Sequence, residues 1–470
     1  MKFGRQKYFL WSSIFLALWF LASTRTGLAQ IQFSGNNYTQ YSVDQLNRDQ
    51  YFENWTEVNL NYQRWRVGFR YEMHLPAQPF SQDTSGQGIY QKFLEYRGKN
   101  LTITAGNFYT MLGRGLVLRS YENRNLRWDT NIEGLKLDYS SRYVGLRLLG
   151  GRSRDRAGRR QNTFQAGEIR LKPLKGFQVG GSYLTNRIPS RGRVHWGSVF
   201  SEFQVGPNVF YAEYAGKDYP QSLPSGHAFY FSGNIFLQKL SLFAEIKNYL
   251  QFDLTEGVTY NNPPSVIREH LYTLLNRHQK VEEPNDEKGF LVEAVYPILP
   301  RGILTLNFNR TRSHNGVTLY KEYYGQFELD FGDRWEWVWG QGRQDDLEAR
   351  YLNFLSSASF QLDGRNSLKL IFEQQQVRIF LTNRQYFNQA FQFSFARSPL
   401  FTVSLLGEYS TDQISDKNLW AGFQLDVQFL RDFDLTAFGG TRREGKICAG
   451  GVCVVRPEFE GVEFILSNRF

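Results

Sequence analysis

Six histidines are the first residues to test for chemistry: His74, His195, His227, His270, His278 and His314. None stands in a nucleophile motif, and the chain contains neither GxSxG nor HExxH. His270 and His278 are eight apart and flanked by Glu269, but no third ligand follows at a zinc spacing. They are expected to hydrogen-bond to backbone within their own segment. The reading is therefore non-enzymatic, with no metal and no cofactor. Cys448 and Cys453 flank Ala-Gly-Gly-Val. In an exported chain such a close pair in a Gly-rich loop predicts a small disulfide, with a redox pair or a metal site as the alternatives.

The remaining chemistry is charge. Gly113 to Asp129 holds Arg114, Arg119, Arg124 and Arg127 with Glu122 and Asp129. Folded inwards, this segment would set a basic constriction that prefers anions; left outside, it is an ordinary solvated loop. Arg66, Arg70 and Glu72 alternate with Trp65, Val67, Phe69, Tyr71 and Met73. Such residues must face away from lipid if the strand crosses a bilayer, because an Arg at mid-membrane costs about 2–4 kcal/mol.

Period-two runs of this kind recur along almost the whole chain after residue 30. Leu419, Ala421, Phe423, Leu425, Val427 and Phe429, for example, alternate with polar or small residues. Aromatics are 16% of residues while the hydrophobic total is only 41%. That combination suits strands with one greasy and one wet face better than a generous soluble core. Connections alternate in length. Eleven tight joints, from Gln63-Arg64 to Arg431-Asp432, separate twelve mostly longer polar segments, of which Thr255 to Glu287 is the longest. The rhythm predicts an all-β, antiparallel up-and-down transmembrane barrel of about 24 strands (22–26). Its short turns would be periplasmic and its long loops extracellular. A large soluble β-protein is the alternative. Strands begin near Ile31, which leaves no room for a separate N-terminal plug domain. A wide lumen would then be narrowed by in-folded loops, with Gly113 to Asp129 and Thr255 to Glu287 as the candidates.

The front end fits this class. Lys2, Arg5 and Lys7 precede the apolar run Phe9 to Ala22, and Gly27-Leu28-Ala29 supplies small residues. This predicts a signal peptide over residues 1–29, cleaved after Ala29, and a single barrel domain over 30–470. Cleavage removes four basic residues and lowers the net charge from +10 to +6, which gives no argument for nucleic acid. At the other end, Val462, Phe464, Leu466 and Phe470 lie two or four apart. An ending of this kind, with a terminal Phe, is the signal by which assembly machinery reads an outer-membrane barrel; Asn468 departs from the pattern.

The segments "GNFYTMLGRGLVLRSYENRNLRWDTNIEGLKLDY" (Gly106 to Tyr139), "NNPPSVIREHLYTLLNRHQ" (Asn261 to Gln279) and the tail from Cys448 to Phe470 resemble an uncharacterised family of gram-negative outer-membrane barrel proteins. The resemblance implies the barrel and brings no activity with it. The expected function is a pore or transport conduit in the outer membrane. The expected partners are lipid and the barrel-assembly machinery. The alternative is a scaffold or receptor barrel that docks a secretion or surface-assembly protein in its lumen or loops.

Overall fold

The computed structural model describes residues 31–75, 86–124, 128–153, 162–188, 192–219, 224–252, 263–277, 285–332, 334–449 and 452–470. Residues 1–29, with the expected cleavage point Ala29, lie outside them. Twenty-four strands form one sheet, and each pairs antiparallel with its neighbours in sequence. The first strand, Ile31–Asp44, pairs with the last, Phe459–Arg469, from Asn36 opposite Arg469 to Asp44 opposite Gly461. Gly35 and Phe470 then exchange both backbone hydrogen bonds, at 2.8 and 3.0 Å. The sheet is thereby a closed barrel with no free edge, which a membrane requires of β-structure. No helix among the described residues is long and apolar enough to cross a membrane.

All eleven tight joints fall where the sequence places them, on one rim. On the opposite rim several expected loops are shorter than anticipated. Trp335–Asp345 and Ala349–Gln361 continue as paired strands until only residues 346–348 remain between them. The polar composition there marks strands that project beyond the membrane, not a loop.

Side chains segregate as the alternation predicts. In Trp65–Leu75, the aromatic and aliphatic residues Trp65, Val67, Phe69 and Leu75 are exposed on the outer face while Arg70, Glu72 and His74 are buried inside. Phe464 is exposed towards lipid, and Glu463 points inwards to accept from Gln40 Nε2 at 2.9 Å. Trp335, Trp337 and Trp339 line one outer stripe. One outward patch is polar. Asn37 and Asn54 donate to Thr56 and Thr39 hydroxyls at 2.8 Å, and the two hydroxyls donate back to Asn37 and Asn54 carbonyls at 3.1 Å. The four side chains satisfy one another, which removes most of the cost of placing them in lipid. Asn468 lies opposite Asn37 in the register, so its departure from the apolar pattern belongs to this patch.

Candidate functional site

The lumen is occupied unevenly. Inward side chains near the short turns, such as Gln32, Ser34, Asn36 and Lys369, are exposed. Those nearer the other rim, such as Ser42, Glu53, Glu373 and Ser410, are buried. The covering comes from two connections that fold inwards.

The first runs between the strands Leu101–Phe108 and Ile132–Ser140 and contains two small hairpins. Thr110–Leu112 pairs with Leu118–Ser120, and Glu122–Asn123 pairs with Trp128–Asp129. Leu112, Leu116, Val117 and Leu118 are fully buried against Phe164, Leu184, Trp196 and Phe200 of the wall. This apolar core lies inside the barrel, on a face expected to be wet. Gly113 and Gly115 make the tight turn, with φ of +55° and +93°. The turn presents its amides to two wall carboxylates: Gly113 N–H donates to Glu168 Oε2 at 2.7 Å and Arg114 N–H to Glu213 Oε2 at 2.8 Å. The positive φ favours glycine at 113, and a Cβ there would also stand 2.3 Å from Glu213 Oε1 and displace that carboxylate from the turn.

The charged residues named from sequence meet here, but as a compensated network. Arg70 is only 2% exposed and is ringed by carboxylates: Glu72 at 2.5 Å, Glu122 at 2.6 Å, Asp129 at 3.2 Å and Glu57 at 3.5 Å. Arg124 bonds Glu57 at 2.5 Å and stacks on Trp55. Arg114 covers Tyr211, and Arg119 covers Tyr121. Arg66 sits closer to the short-turn rim and donates to Asn59 Oδ1 at 2.9 Å. Arg127 lies outside the described residues. Burial holds the Glu122 carboxyl above its ordinary range, against the pull of Arg70 and Arg124. Burial, with Asp129 close by, pushes the Tyr109 hydroxyl up and keeps it neutral. In place of a bare basic ring there is a guanidinium core wrapped in acids.

The second segment, residues 263–277, crosses the lumen on the wall from Leu240–Leu250 to Phe401–Ser410. Lys247 Nζ donates to Ser265 O at 2.6 Å and pairs with Glu287 at 3.1 Å; Tyr249 donates to Pro264 O at 3.0 Å. A single helical turn, Thr273–Asn276, has no side-chain cap of its own. Its first amides, of Thr273 and Leu274, donate instead to Glu373 on the wall at 3.0 and 2.8 Å. Gln375 and Gln344 donate to the Leu274 and Leu275 carbonyls at 2.8 and 3.1 Å. Arg277 pairs with Glu408. His270 corrects a sequence expectation. Its ring reaches Glu322 of the wall at 2.7 Å, not the backbone of its own segment. His278 lies outside the described residues.

Between these segments and the wall of first, second and last strands a cavity of about 1120 Å³ persists. Tyr38, Tyr51, Trp55, Tyr272, Trp420 and Phe459 line it, with seven carboxylates and four guanidiniums. Leu271 projects into it at 98% exposure. The guanidiniums are covered: Arg442 pairs with Glu463 at 3.0 Å, and Arg443 pairs with Glu408 at 3.1 Å and stacks on Trp420. Sequence reasoning did not single out these strand residues. Their charge is visible, but their convergence depends on barrel closure. At the outer rim, Cys448 and Cys453 face each other in the register of the ribbon Gly445–Ala449 and Val452–Arg456; their side chains lie outside the described residues.

A family model described as a family of unknown function (DUF6029) matches residues 10–315. The chain belongs to this family. No curated protein matches the sequence. Among solved structures, the P pilus usher (PapC) translocation pore is similar at 10% identity, with a TM-score of 0.52 over 93% of this chain and 99% of that one. The E. coli P pilus tip assembly intermediate PapC-PapD-PapK-PapG gives a TM-score of 0.59 at 10% identity over 95% of this chain. This DUF6029 chain spans 62% of the length of the chain it matches there. At such identity the likeness shows fold alone: a closed 24-stranded barrel of the outer-membrane kind.

Proposed function

We propose that this barrel is a conduit for small polar solutes across the outer membrane, without chemistry. The supporting observation is the cavity of about 1120 Å³ beside the two in-folded segments. Its lining carries a surplus of three acids over bases, so passage favours cations, opposite to the preference expected of an arginine constriction. The field of such a surplus acts within roughly a Debye length, about 8–10 Å near physiological salt. Refolded protein in a planar bilayer under a KCl gradient should show a reversal potential of the sign given by K⁺ passage. A folded barrel that never conducts, or one that passes Cl⁻ in preference, sinks this reading.

A second reading, a barrel that docks a partner protein, is favoured by Leu271. A fully exposed leucine beside the aromatic residues of the cavity is a natural apolar contact. Crosslinking from Leu271→Cys in intact membranes separates the two: no crosslinked protein product removes the docking reading.

The signal peptide over residues 1–29 and the Cys448–Cys453 disulfide belong to the same proposal. Directly opposed residues in an antiparallel pair bring Cβ atoms within about 4.5–5.5 Å, close to what a disulfide needs. Thiol alkylation of native protein before and after reduction should add two labels only after reduction. Labelling of both thiols without reductant excludes the bond.

A further inference from the structure

The outer wall formed by Asp286–Leu299, Gly302–Arg312, Thr318–Phe331, Trp335–Asp345 and Ala349–Gln361 carries a feature that the lumen does not explain. On its lipid side lies a groove of about 900 Å³, lined by Val292, Leu304, Leu306, Phe327, Trp339 and Leu352. At its floor lie Ala294, with only a methyl group, and Gly325, with no side chain, which leave the space open. Directly beyond the groove, towards the long-loop rim, outward positions turn basic: Lys288, Arg310, Arg312, Lys321, Arg343 and Arg350. In the register Lys288 lies opposite Arg312, and Arg310 lies opposite Lys321. Like charges directly opposite each other destabilise a sheet.

Among the described residues the acids on this face are few, and Asp345 is the one that lies opposite Lys321 in the register. Asp345 is shared by Arg343 and Arg350, both at 2.9 Å, and Asp286 is bonded to His314 at 2.6 Å. Among the described residues Arg310 donates only to the neutral Thr318 hydroxyl, at 3.3 Å, and its buried Nε has no hydrogen-bond partner. Lys321 rests over the Tyr323 ring at 4.6 Å. Arg343 stands eight residues along the strand from Trp335 at the short-turn rim. At about 3.3 Å per residue and a tilt of about 40°, that is roughly 20 Å up the wall. The cluster therefore sits near the outer edge of an apolar band about 25 Å tall, at the depth of lipid headgroups.

We propose that this face binds a phosphorylated lipid of the outer leaflet. The phosphate bridges the opposed cations around Arg310, Lys321 and Arg343, and an acyl chain lies in the groove beneath. An anion at that point turns the repulsion between Arg310 and Lys321 into charge-assisted hydrogen bonds.

The test uses delipidated, folded barrel in neutral detergent, titrated with a diphosphorylated glycolipid and with the same lipid stripped of phosphate. Bound lipid is counted by native mass spectrometry. The phosphorylated form should bind about tenfold tighter or more. Arg310→Gln/Lys321→Gln/Arg343→Gln should bring the two affinities together without changing the heat-modifiable gel shift. Gly325→Leu, which fills the groove, should weaken both forms. Equal binding of the two lipids by the native barrel overturns the proposal, as does discrimination that survives the triple substitution. If the triple variant does not fold, a salt titration of the native barrel takes its place. A preference undiminished at high ionic strength is then the overturning result. Inorganic phosphate that competes as well as the lipid does would sink the lipid assignment.

Discussion

Arg70→Met should raise single-channel conductance and lower the unfolding midpoint of the barrel. Removing one partner from a buried ionic network costs about 3–5 kcal/mol, because the carboxylates left behind stay desolvated and unpaired. Here four carboxylates converge on one guanidinium, and two of them, Glu122 and Asp129, belong to the in-folded segment. The apolar side of the same segment pulls the other way. Burying Leu112, Leu116, Val117 and Leu118 contributes about 1.5–3 kcal/mol each, together more than Arg70 supplies. The expected outcome is therefore partial. The Glu122–Asp129 hairpin leaves the wall while the Leu112–Leu118 hairpin stays docked, and conductance rises to a new fixed level instead of fluctuating. Bilayer recording with a thermal gel-shift series checks both parts. Unchanged conductance together with an unchanged midpoint would mean that Arg70 is not the latch.

Glu373→Ala should have a comparable effect at the second segment, through a different balance. A helix of four residues has no stability of its own in water, and Thr273–Asn276 depends on acceptors lent by the wall. Hydrogen bonds to a charged group contribute about 1.5–3 kcal/mol each, and Glu373 receives two of them. Only Leu274 and Leu275 bury substantial apolar surface on this turn, so the polar and apolar contributions are similar in size. Losing Glu373 should tip the turn off the wall, whereas Glu373→Gln should act in the same direction but less. Hydrogen exchange at the Thr273 and Leu274 amides is the direct readout. Protection equal to that of the unmutated protein would falsify the capping role.

The barrel was legible because membrane strands obey one rule at every step. Trp65 to Leu75 and Leu419 to Phe429 alternate without interruption, and tight joints such as Gly206-Pro207 and Ser398-Pro399 punctuate them. The contents of the lumen were less legible. A signal for the inner core was present in Leu112, Leu116, Val117 and Leu118, too apolar a group for a solvated loop. Carboxylates that meet these arginines come from elsewhere in the chain: Glu57 lies 67 residues before Arg124, and Glu202, 3.9 Å from the Arg114 guanidinium, belongs to a distant wall strand. Spacing along a sequence cannot register partners that meet only across a closed cylinder. The same distance misassigned His270, whose acceptor Glu322 is 52 residues away.

The pairing of Ile31–Asp44 with Phe459–Arg469 sets an order of events in biogenesis. Gln40 and Glu463, which touch across that seam, are 423 residues apart, so the seam can close only when both ends of the chain have reached the membrane. The entropy of joining distant ends grows only logarithmically with length, so delay and exposure of an unpaired edge are the larger hazard. The two inner segments lie in the interval between those strands. The first is clasped by wall residues on either side of it in sequence, Glu57 and Glu213; the second is held largely by strands that follow it in sequence, through Glu322, Glu373 and Glu408. Each can settle on a curved, still-open sheet as its strands arrive. The last register to form would then close around contents already in place.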